Sequence, residues 1–434
     1  MREDAQIPAA TAGRRVWLRV GTMIDGSDCS PNRNAHVVFS QAGILYAGAD
    51  MPPAELVKNG RTSTAPDAEL PDYTLLPGLI DAHTHIFLEG GELDLDKRAA
   101  FLKQSPEELL ASAMARLEKI VRIGVTAMRD CGDKDGVGLA LSRLCASHVC
   151  ASHDRPLMPY IDSPGAAIHH RGRYGSFMAE PLEDFPTAAE CVAARVNAGA
   201  DRIKLIPTGI IDFKQGAVTA PPQMTTEEIA AIVAAAKSHN RQTIAHGSGD
   251  EGLERAIEGG VDSIEHGFFL RDDQLAKMRD RQVAWVPTFS PVQKQVDHAD
   301  RLGWDAHVVA ILRKILDRHA ATLVKAHAMG VQVIAGSDAG SCGVAHGLGF
   351  LEELELMERA GLSSAAIIHS ATGASARRLA FKEKFGEIKP GYLSRFILTR
   401  HSPLETVANL RKEKIVVFDD QVFATSASPD VSGL

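Results

Sequence analysis

The sequence predicts an α/β protein in which a (β/α)8 TIM barrel carries a small β-sandwich built from both chain termini. Between Leu75 and about Leu379, short runs rich in Val and Ile alternate with Ala-rich stretches of helical period. That alternation is typical of βα units around a parallel sheet, and eight such units close a barrel. Short, partly alternating runs flank this region on both sides, which indicates a second, β-rich part.

The flanking runs define the predicted β domain. The N-terminal runs cover residues 16–20, 36–40 and 43–46, and the C-terminal runs cover residues 386–390, 396–399, 415–418 and 421–424. We expect residues 1–74 and 386–434 to form the two parts of the β-sandwich, beside a barrel of residues 75–385.

The barrel region contains eight predicted strands and clear helix signals. The strands cover residues 79–83, 125–129, 157–162, 203–207, 243–246, 263–266, 283–287 and 331–337. Thr225 and Glu228 form a capping signal before a helix over residues 229–238, and Pro106 suits the first turn of another helix.

Composition excludes several classes of protein. The 434 residues carry 47 Lys plus Arg against 55 Asp plus Glu, a net charge of −8, and no run rich in Lys and Arg. A nucleic-acid partner is therefore not expected. The polar start and the lack of 18 consecutive apolar residues predict a cytoplasmic protein without a membrane segment. The six cysteines form no CxxC pair and are interpreted as buried thiols: Cys29, Cys131, Cys145, Cys150, Cys191 and Cys342.

Candidate metal ligands lie where predicted strands end. His83 and His85 are two residues apart on an extended chain, so both side chains point the same way. His246, His266 and Asp338 each close a later strand. Barrel enzymes place their sites at this end of the strands, and imidazoles with a carboxylate suit divalent zinc, manganese or cobalt.

Lys204 reaches the same rim on the strand over residues 203–207, between apolar neighbours. Burying an uncompensated ammonium is costly, which makes this lysine a candidate member of the site. A side chain that extends its ammonium to solvent or into an ion pair is the structural alternative.

These residues lie in motifs that resemble those of the amidohydrolase superfamily of metal-dependent hydrolases. The motifs are PGLIDAHTH, GADRIKLIPTG, IAHGSGDEGLERAIEGGVDSIEHG and VIAGSDAG. They are similar to the branch that contains Xaa-Pro dipeptidases (prolidases), carboxypeptidases and imidazolonepropionase-like proteins. The resemblance extends over nearly the whole chain.

The resemblance implies two divalent metal ions bridged by a lysine carboxylated by CO2. It assigns His83, His85 and Asp338 to one metal, His246 and His266 to the other, and carboxylated Lys204 to the bridge. Zinc is favoured, with manganese, cobalt or iron as alternatives. Such a pair of ions would generate a bridging hydroxide near neutral pH, and Asp338 would pass its proton to the leaving nitrogen of an amide, dipeptide or carbamate-like bond.

Loop residues provide candidates for substrate contacts. Either His169 or His170 could donate a hydrogen bond to the oxyanion, although the loop departs from the TGGHG pattern of the relatives. Arg171, Arg173 and Tyr174 could bind a substrate carboxylate, and a surface position is the equal alternative for the arginines. His346 could line the pocket or cap the following helix.

Three other functions are compared with this one. A mononuclear cyclic-amide hydrolase of the imidazolonepropionase type would leave Lys204 unmodified, so metal stoichiometry separates the two. A deaminase is a weaker hypothesis. That branch has a helix glutamate soon after the histidine that corresponds to His246, whereas here His246 is followed by the sequence GSGDE. A non-catalytic scaffold is disfavoured because no ligand is missing. The expected partners are a small-molecule amide substrate and further copies of the chain in a homo-oligomer.

Overall fold

The structure, a computed structural model, describes residues 7–10, 13–28, 30–57, 65–148 and 157–425, without the side chains of residues 147 and 148. Cys29 and Cys150 therefore lie outside the described residues. Among the remaining cysteines, Cys131 and Cys191 are buried, whereas Cys145 and Cys342 are half-buried.

The described strands follow one another along the chain with these bounds: β1 Val16–Ile24, β2 Pro31–Ser40, β3 Gly43–Gly48, β4 Ala68–Pro77, β5 Leu79–Thr84, β6 Val125–Asp130, β7 Tyr160–Asp162, β8 Ala167–His169, β9 Ala179–Pro181, β10 Ile203–Leu205, β11 Thr243–Ser248, β12 Ser263–Phe268, β13 Ala284–Val286, β14 Arg395–Thr399, β15 Lys414–Phe418 and β16 Gln421–Thr425.

The α-helices have these bounds: α1 Ala54–Val57, α2 Leu95–Phe101, α3 Pro106–Arg122, α4 Val137–His148, α5 Ala188–Asn197, α6 Thr226–Ser238, α7 Asp250–Glu258, α8 Asp272–Asp280, α9 Ser290–Asp297, α10 Ala299–Leu302, α11 Ala306–Ala328, α12 Leu348–Arg359, α13 Ser364–Ser370 and α14 Gly373–Leu379. Short 3-10 helices cover Leu182–Asp184 and Val407–Arg411. Among the described residues, no helix combines the length and the apolarity that a membrane span requires.

The chain divides into two compact units. One comprises the described residues of Met1–Ile80, Lys119–Ala127 and Ser363–Gly433, and the other comprises Asp81–Glu118 and those of Met128–Leu362.

The first unit is organised around a seven-stranded sheet with the order β16-β15-β14-β4-β1-β2-β3. Strand β4 pairs in parallel with β1 and antiparallel with β14, so strands from both chain ends join in one sheet. Phe39 and Phe396 meet edge to face in its buried core, with ring centroids 5.1 Å apart. A second sheet that would complete a β-sandwich stays a prediction.

Two sequence predictions for this sheet need correction. Strand β4 follows no alternating pattern and was missed, because it is exposed at its start and buried at its end. Residues 386–390 form bends and a turn rather than a strand. Gly386 has a φ of +83°, which belongs to turns and not to extended chain.

Arg395 donates two hydrogen bonds of 2.9 Å to Asp419, so the arginine closes the β14–β15 hairpin.

The second unit contains strands β7 to β13 and the carboxyl ends of β5 and β6. A six-stranded sheet has the order β13-β12-β11-β10-β8-β9, and a three-stranded sheet has the order β5-β6-β7. Each predicted strand from residue 79 to residue 287 overlaps an observed strand, although β7, β10 and β13 are only three residues long. The short strands β8 and β9 were not predicted.

The predicted eighth strand, residues 331–337, is an extended segment with isolated bridges instead of a regular strand. Its backbone bonds to Trp285 of β13 on one side, and to Ala82 and His83 of β5 on the other. Gly336 permits this approach, because a Cβ there would lie 2.8 Å from the backbone nitrogen of His83. The segment joins the edges of the two sheets, as a barrel requires, while a fully closed eightfold barrel stays a prediction.

Two helix signals are confirmed. Thr225 caps α6 in a reciprocal capping box with Glu228, in which each side chain accepts from the other residue's backbone N–H. Pro106 is the first residue of α3.

Candidate metal centre

The six residues predicted as metal ligands meet at the carboxyl ends of the parallel strands. His83 lies in β5 with His85 just after it, Lys204 lies in β10, His246 in β11, His266 in β12, and Asp338 after the extended eighth segment. All six are buried.

His83, His85 and Asp338 form the tightest part of the cluster. Oδ1 of Asp338 lies 3.4 Å from Nε2 of His83 and 3.6 Å from Nε2 of His85. One potential ligand atom from each of the three residues lies within 4.8 Å of the others. Two imidazole nitrogens and a carboxylate oxygen at this spacing are a donor set that a divalent ion such as zinc accepts.

His246 and His266 extend the cluster on the other side. Their ring centroids are 4.7 Å apart, and the centroid of His266 is 5.0 Å from that of His83. Lys204 lies on β10, next to β11 in the sheet, and its charge contributes to the lowered pKa of His85, His246 and His266. Its side chain is 2% exposed, which excludes the solvated position considered from the sequence.

The surroundings of His85, His246 and Asp338 favour the protonation states that metal binding needs. Burial lowers the pKa of His85 to about 4 and the pKa of His246 to about 3, with the charge of Lys204 adding to the shift of His246. Burial alone would raise the pKa of Asp338, but the nearby imidazoles of His83, His266 and His85 hold that pKa below its usual range. Neutral imidazoles and an ionised carboxylate are the forms that bind metal.

Each histidine of the cluster has one ring nitrogen held by the protein. His85 Nδ1 lies 3.2 Å from the Gly132 carbonyl, His266 Nδ1 2.8 Å from Thr288 Oγ1, and His246 Nε2 3.3 Å from the Gly209 carbonyl. A backbone carbonyl can only accept, so the held nitrogens of His85 and His246 carry the proton. The other nitrogen keeps its lone pair for a ligand, an arrangement that metal-binding histidines share.

His83 has the strongest support. Its Nδ1 donates to Glu265 Oε2 over 2.7 Å, while its Nε2 is buried without a hydrogen-bond partner. An unpartnered buried nitrogen is costly in a protein interior, and a metal ion in the cluster would remove that cost. The geometry of the residues therefore fits a bound divalent metal.

Glu265 and Arg129 lie beside the cluster, and the sequence did not single them out. Arg129 Nη2 donates to both carboxylate oxygens of Glu265 at 2.8 and 2.7 Å, and its Nε donates to the Ala82 carbonyl at 2.6 Å. Ser263 Oγ donates to Glu265 over 2.6 Å. Burial would raise the pKa of Glu265, but the charge of Arg129 holds it below its usual range. The available signal was a charged residue within each of two strand sequences, VTAMRD and SIEHGF.

Cys131 was interpreted as a buried thiol, and it is buried beside the site. With His83 and Glu265 it forms a second group of potential ligand atoms within 4.8 Å of one another.

A cavity of about 390 Å³ opens onto the cluster. The cluster residues His85, His246, His266 and Asp338 line it together with Tyr174, whose ring centroid is 5.3 Å from that of His246. Burial raises the pKa of the Tyr174 phenol, so the hydroxyl stays protonated as a potential donor.

The other predicted substrate residues do not line this cavity. Arg173 donates to the Pro221 carbonyl, and Arg171 pairs with Asp184 on the surface. His346 lies behind the wall, where its Nε2 donates to the Leu88 carbonyl over 3.0 Å.

The two candidate oxyanion donors also lie outside the cavity lining. His170 Nδ1 is 2.7 Å from Glu183 Oε1, and its Nε2 is 3.3 Å from Glu228 Oε1. His169 is buried at the end of β8, where its Nδ1 has no hydrogen-bond partner. An oxyanion role for either residue stays a prediction.

Comparisons with known proteins agree with the fold. Residues 74–422 match the model of the amidohydrolase family. An uncharacterized protein of Mycobacterium tuberculosis is 29% identical over 325 residues, 74% of this chain and 78% of that protein. Ochratoxinase of Aspergillus niger is 25% identical over 447 residues, 96% of this chain and 87% of that protein. The structure of a Xaa-Pro dipeptidase with bound methionine in the active site superposes with a TM-score of 0.77 at 26% identity, covering 95% of this chain and 100% of the other.

The chain therefore belongs to the amidohydrolase family, and it is a hydrolase that acts on carbon–nitrogen bonds. This confirms the resemblance to the prolidase-like branch that the sequence motifs indicated.

Proposed function

We propose that this protein hydrolyses the amide, dipeptide or carbamate-like C–N bond of a small molecule at a binuclear metal centre that includes carboxylated Lys204. The observation that carries the proposal is the meeting of four imidazoles, the Asp338 carboxylate and the buried Lys204 at one end of the parallel strands. His83, His85 and Asp338 would hold one ion, His246 and His266 the other, and Lys204 would bridge them.

Carboxylation would account for a buried lysine among imidazoles. An ammonium beside two divalent cations is strongly disfavoured. Addition of CO2 to the neutral amine of Lys204, with loss of a proton, gives an anionic carbamate with two oxygen ligands. That anion would compensate the metal charge and remove the cost of an unpaired buried cation.

The metal ions, when bound, supply a water of lowered pKa and polarise the scissile carbonyl. Asp338 would hold that water, accept its proton and deliver the proton to the leaving nitrogen. The carboxylate is suited to accept, because its surroundings keep it ionised. Tyr174 can donate a hydrogen bond to the carbonyl oxygen as negative charge develops there. His169 or His170 stays a second proposal for that donor.

The test is metal content per protomer, measured together with amide hydrolysis on protein purified without chelator. We expect about two equivalents of zinc, manganese, cobalt or iron, with metal content and rate rising when bicarbonate is added. Lys204→Ala should lose both, and a short carboxylic acid such as acetate should restore part of both. Lys97→Ala, on the exposed face of α2, is the control and should change neither.

A metal content of about one equivalent per protomer, unchanged by bicarbonate, would instead indicate a mononuclear hydrolase of cyclic amides with an unmodified Lys204. Full metal content and full rate in Lys204→Ala would remove the bridge from the proposal.

We also propose a closed (β/α)8 barrel with a terminal β-sandwich, a cytoplasmic location and a homo-oligomeric state. The first follows from the segment that joins the two sheet edges. The location and the oligomer follow from the sequence and the family resemblance.

A further inference from the structure

The cavity beside the metal cluster has a fixed apolar wall. Ile211, Phe268 and Val292 line the cavity and are at most 7% exposed. They belong to a hydrophobic cluster that includes Leu312 and Ile315 of α11. Because these side chains pack against α11, we expect the wall to stay in place when a substrate enters.

The mouth of the cavity is apolar as well. Ile210 and Leu102 line it while remaining 52% and 38% exposed. Large apolar side chains that are exposed together around a pocket are typical of a site that binds an apolar ligand. Phe177 and Met178 continue the same surface inside. Apolar side chains therefore form most of the lining between the mouth and the metal cluster.

Apart from the candidate metal ligand Asp338, the cavity lining carries no negative charge among the described residues. Among the described residues that line it, Asp338 is the single carboxylate, and Arg98 is a cation. Arg98 is held in place by donating to the carbonyls of Glu89 and Gly340 at 2.9 and 2.8 Å. A substrate ammonium in this cavity would thus meet Arg98 and the metal cluster without a free anionic partner.

We infer that the substrate has a bulky apolar acyl group and no charged amine next to the scissile carbonyl, so that N-acyl compounds are cleaved in preference to free dipeptides. This inference rests on the proposed function. In a free dipeptide the α-ammonium is two bonds from the scissile carbonyl, so it must enter the cavity in any productive pose. Its desolvation would be uncompensated there, whereas an apolar acyl chain would fill the wall of Ile211, Phe268 and Val292.

The experiment compares substrates that differ by one group. The probes are N-(3-phenylpropanoyl)-L-proline, L-phenylalanyl-L-proline, which differs by the α-ammonium, and N-acetyl-L-proline, which lacks the phenylethyl part. The same acyl groups on L-leucine and 4-nitroaniline vary the leaving group. With metal-loaded enzyme near pH 6.5, where the amine is charged, kcat/KM should be about tenfold or more higher for phenylpropanoyl than for either other acyl group.

A variant introduces the missing anion at the mouth. Ile210→Asp should raise the rate ratio of the phenylalanyl to the phenylpropanoyl substrate by roughly threefold, because the new carboxylate pairs with the ammonium. Val324→Asp is the matched control, since Val324 is 40% exposed on α11 and does not line the cavity. It should leave the ratio unchanged.

The outcomes separate the inference from the proposed function. Equal or faster cleavage of the phenylalanyl compounds would overturn the inference and leave amide hydrolysis standing. If the metal-loaded protein cleaves no amide, the proposed function is wrong. The inference about the cavity is then tested separately, by calorimetric measurement of the affinities for 3-phenylpropanamide and L-phenylalaninamide. Tighter binding of 3-phenylpropanamide, by about tenfold, would support it, and equal binding would overturn it.

Discussion

At the scale of single residues, Glu265 fixes which nitrogen of His83 is available to a metal. Its carboxylate accepts from His83 Nδ1, so Nε2 is the nitrogen that faces Asp338. The negative charge also makes the imidazole a stronger ligand. Arg129 balances that charge within the protein interior, and all three side chains are at most 1% exposed.

Replacing Glu265 should weaken metal binding. Glu265→Gln preserves size but removes the anion, and a glutamine can present its amide nitrogen to His83. We expect metal affinity to fall by roughly 10- to 100-fold, the usual effect of losing such a partner. Competition with a chromogenic chelator measures this directly, without any assay of activity.

Asp162→Asn is the matched control. Asp162 forms a buried ion pair with Arg202 and contacts no residue of the metal cluster through a hydrogen bond in the described part of the chain. Breaking a buried pair should lower stability in both variants. If Asp162→Asn weakened metal binding as much as Glu265→Gln, a general loss of stability would explain the effect and the specific role of Glu265 would be wrong.

At the scale of elements, the loop between β13 and α9 holds His266 in place. Thr288, whose hydroxyl meets His266, has a φ of +49°, a strained conformation for a β-branched residue. The loop is fixed on both sides of Thr288. His319 of α11 donates to the Pro287 carbonyl over 2.9 Å, and Glu353 of α12 accepts from the backbone of Phe289 at 2.8 Å. Packing between helices thereby determines the position of a metal ligand.

The buried imidazole of His319 should make stability depend on pH. Burial lowers its pKa from 6.5 to about 4, because the ring stacks on Phe268 inside the core. The unfolded chain takes up a proton at this residue below pH 6.5, whereas the folded chain does not until about pH 4. The contribution is therefore complete above pH 6.5 and is lost as the pH falls toward 4.

Urea unfolding of chelated protein at about pH 7 and pH 5 measures this contribution. The loss of unfolding free energy between the two pH values should be roughly 2 kcal/mol smaller in His319→Gln than in the wild type. His401→Gln removes an exposed histidine and should behave like the wild type. Equal pH dependence in His319→Gln and the wild type would mean that His319 does not titrate as its burial requires.

At the scale of the whole molecule, metal binding and folding are linked. The cluster unites residues from β5, β10, β11, β12 and the eighth segment, which are up to 255 positions apart in the chain. An unfolded chain cannot hold these donors together, so a metal binds the native state in preference.

Metal-free protein should therefore melt at a lower temperature. At a free zinc concentration of about 100 times Kd the stabilisation is about 2.7 kcal/mol, which raises Tm by roughly 3–5 °C in a protein of this size. Differential scanning calorimetry of chelated and reloaded protein checks this. Magnesium at the same concentration is the control, because it prefers oxygen ligands. An unchanged Tm, with zinc binding shown by dialysis, would contradict the link.

Much of this arrangement could be predicted from the sequence because it depends on local pattern. The alternation of apolar runs with helical stretches gave the order of the parallel strands, and the capping box at Thr225 marked the start of α6. The six candidate ligands were identified because each falls at the end of a strand, where parallel strands converge. Elements shaped by distant partners, such as β4 and residues 386–390, were missed or misassigned.

The sequence by itself determined the residue types at the strand ends, and with them the family and the candidate metal ligands. The tertiary structure alone decided the rest. It paired Glu265 with His83, set Arg171, Arg173 and His346 apart from the cavity, and lined that cavity with apolar side chains. Strand and helix signals act between neighbours in the chain, whereas hydrogen-bond partners and cavity walls depend on which distant side chains pack together, and that is fixed only when the whole chain folds.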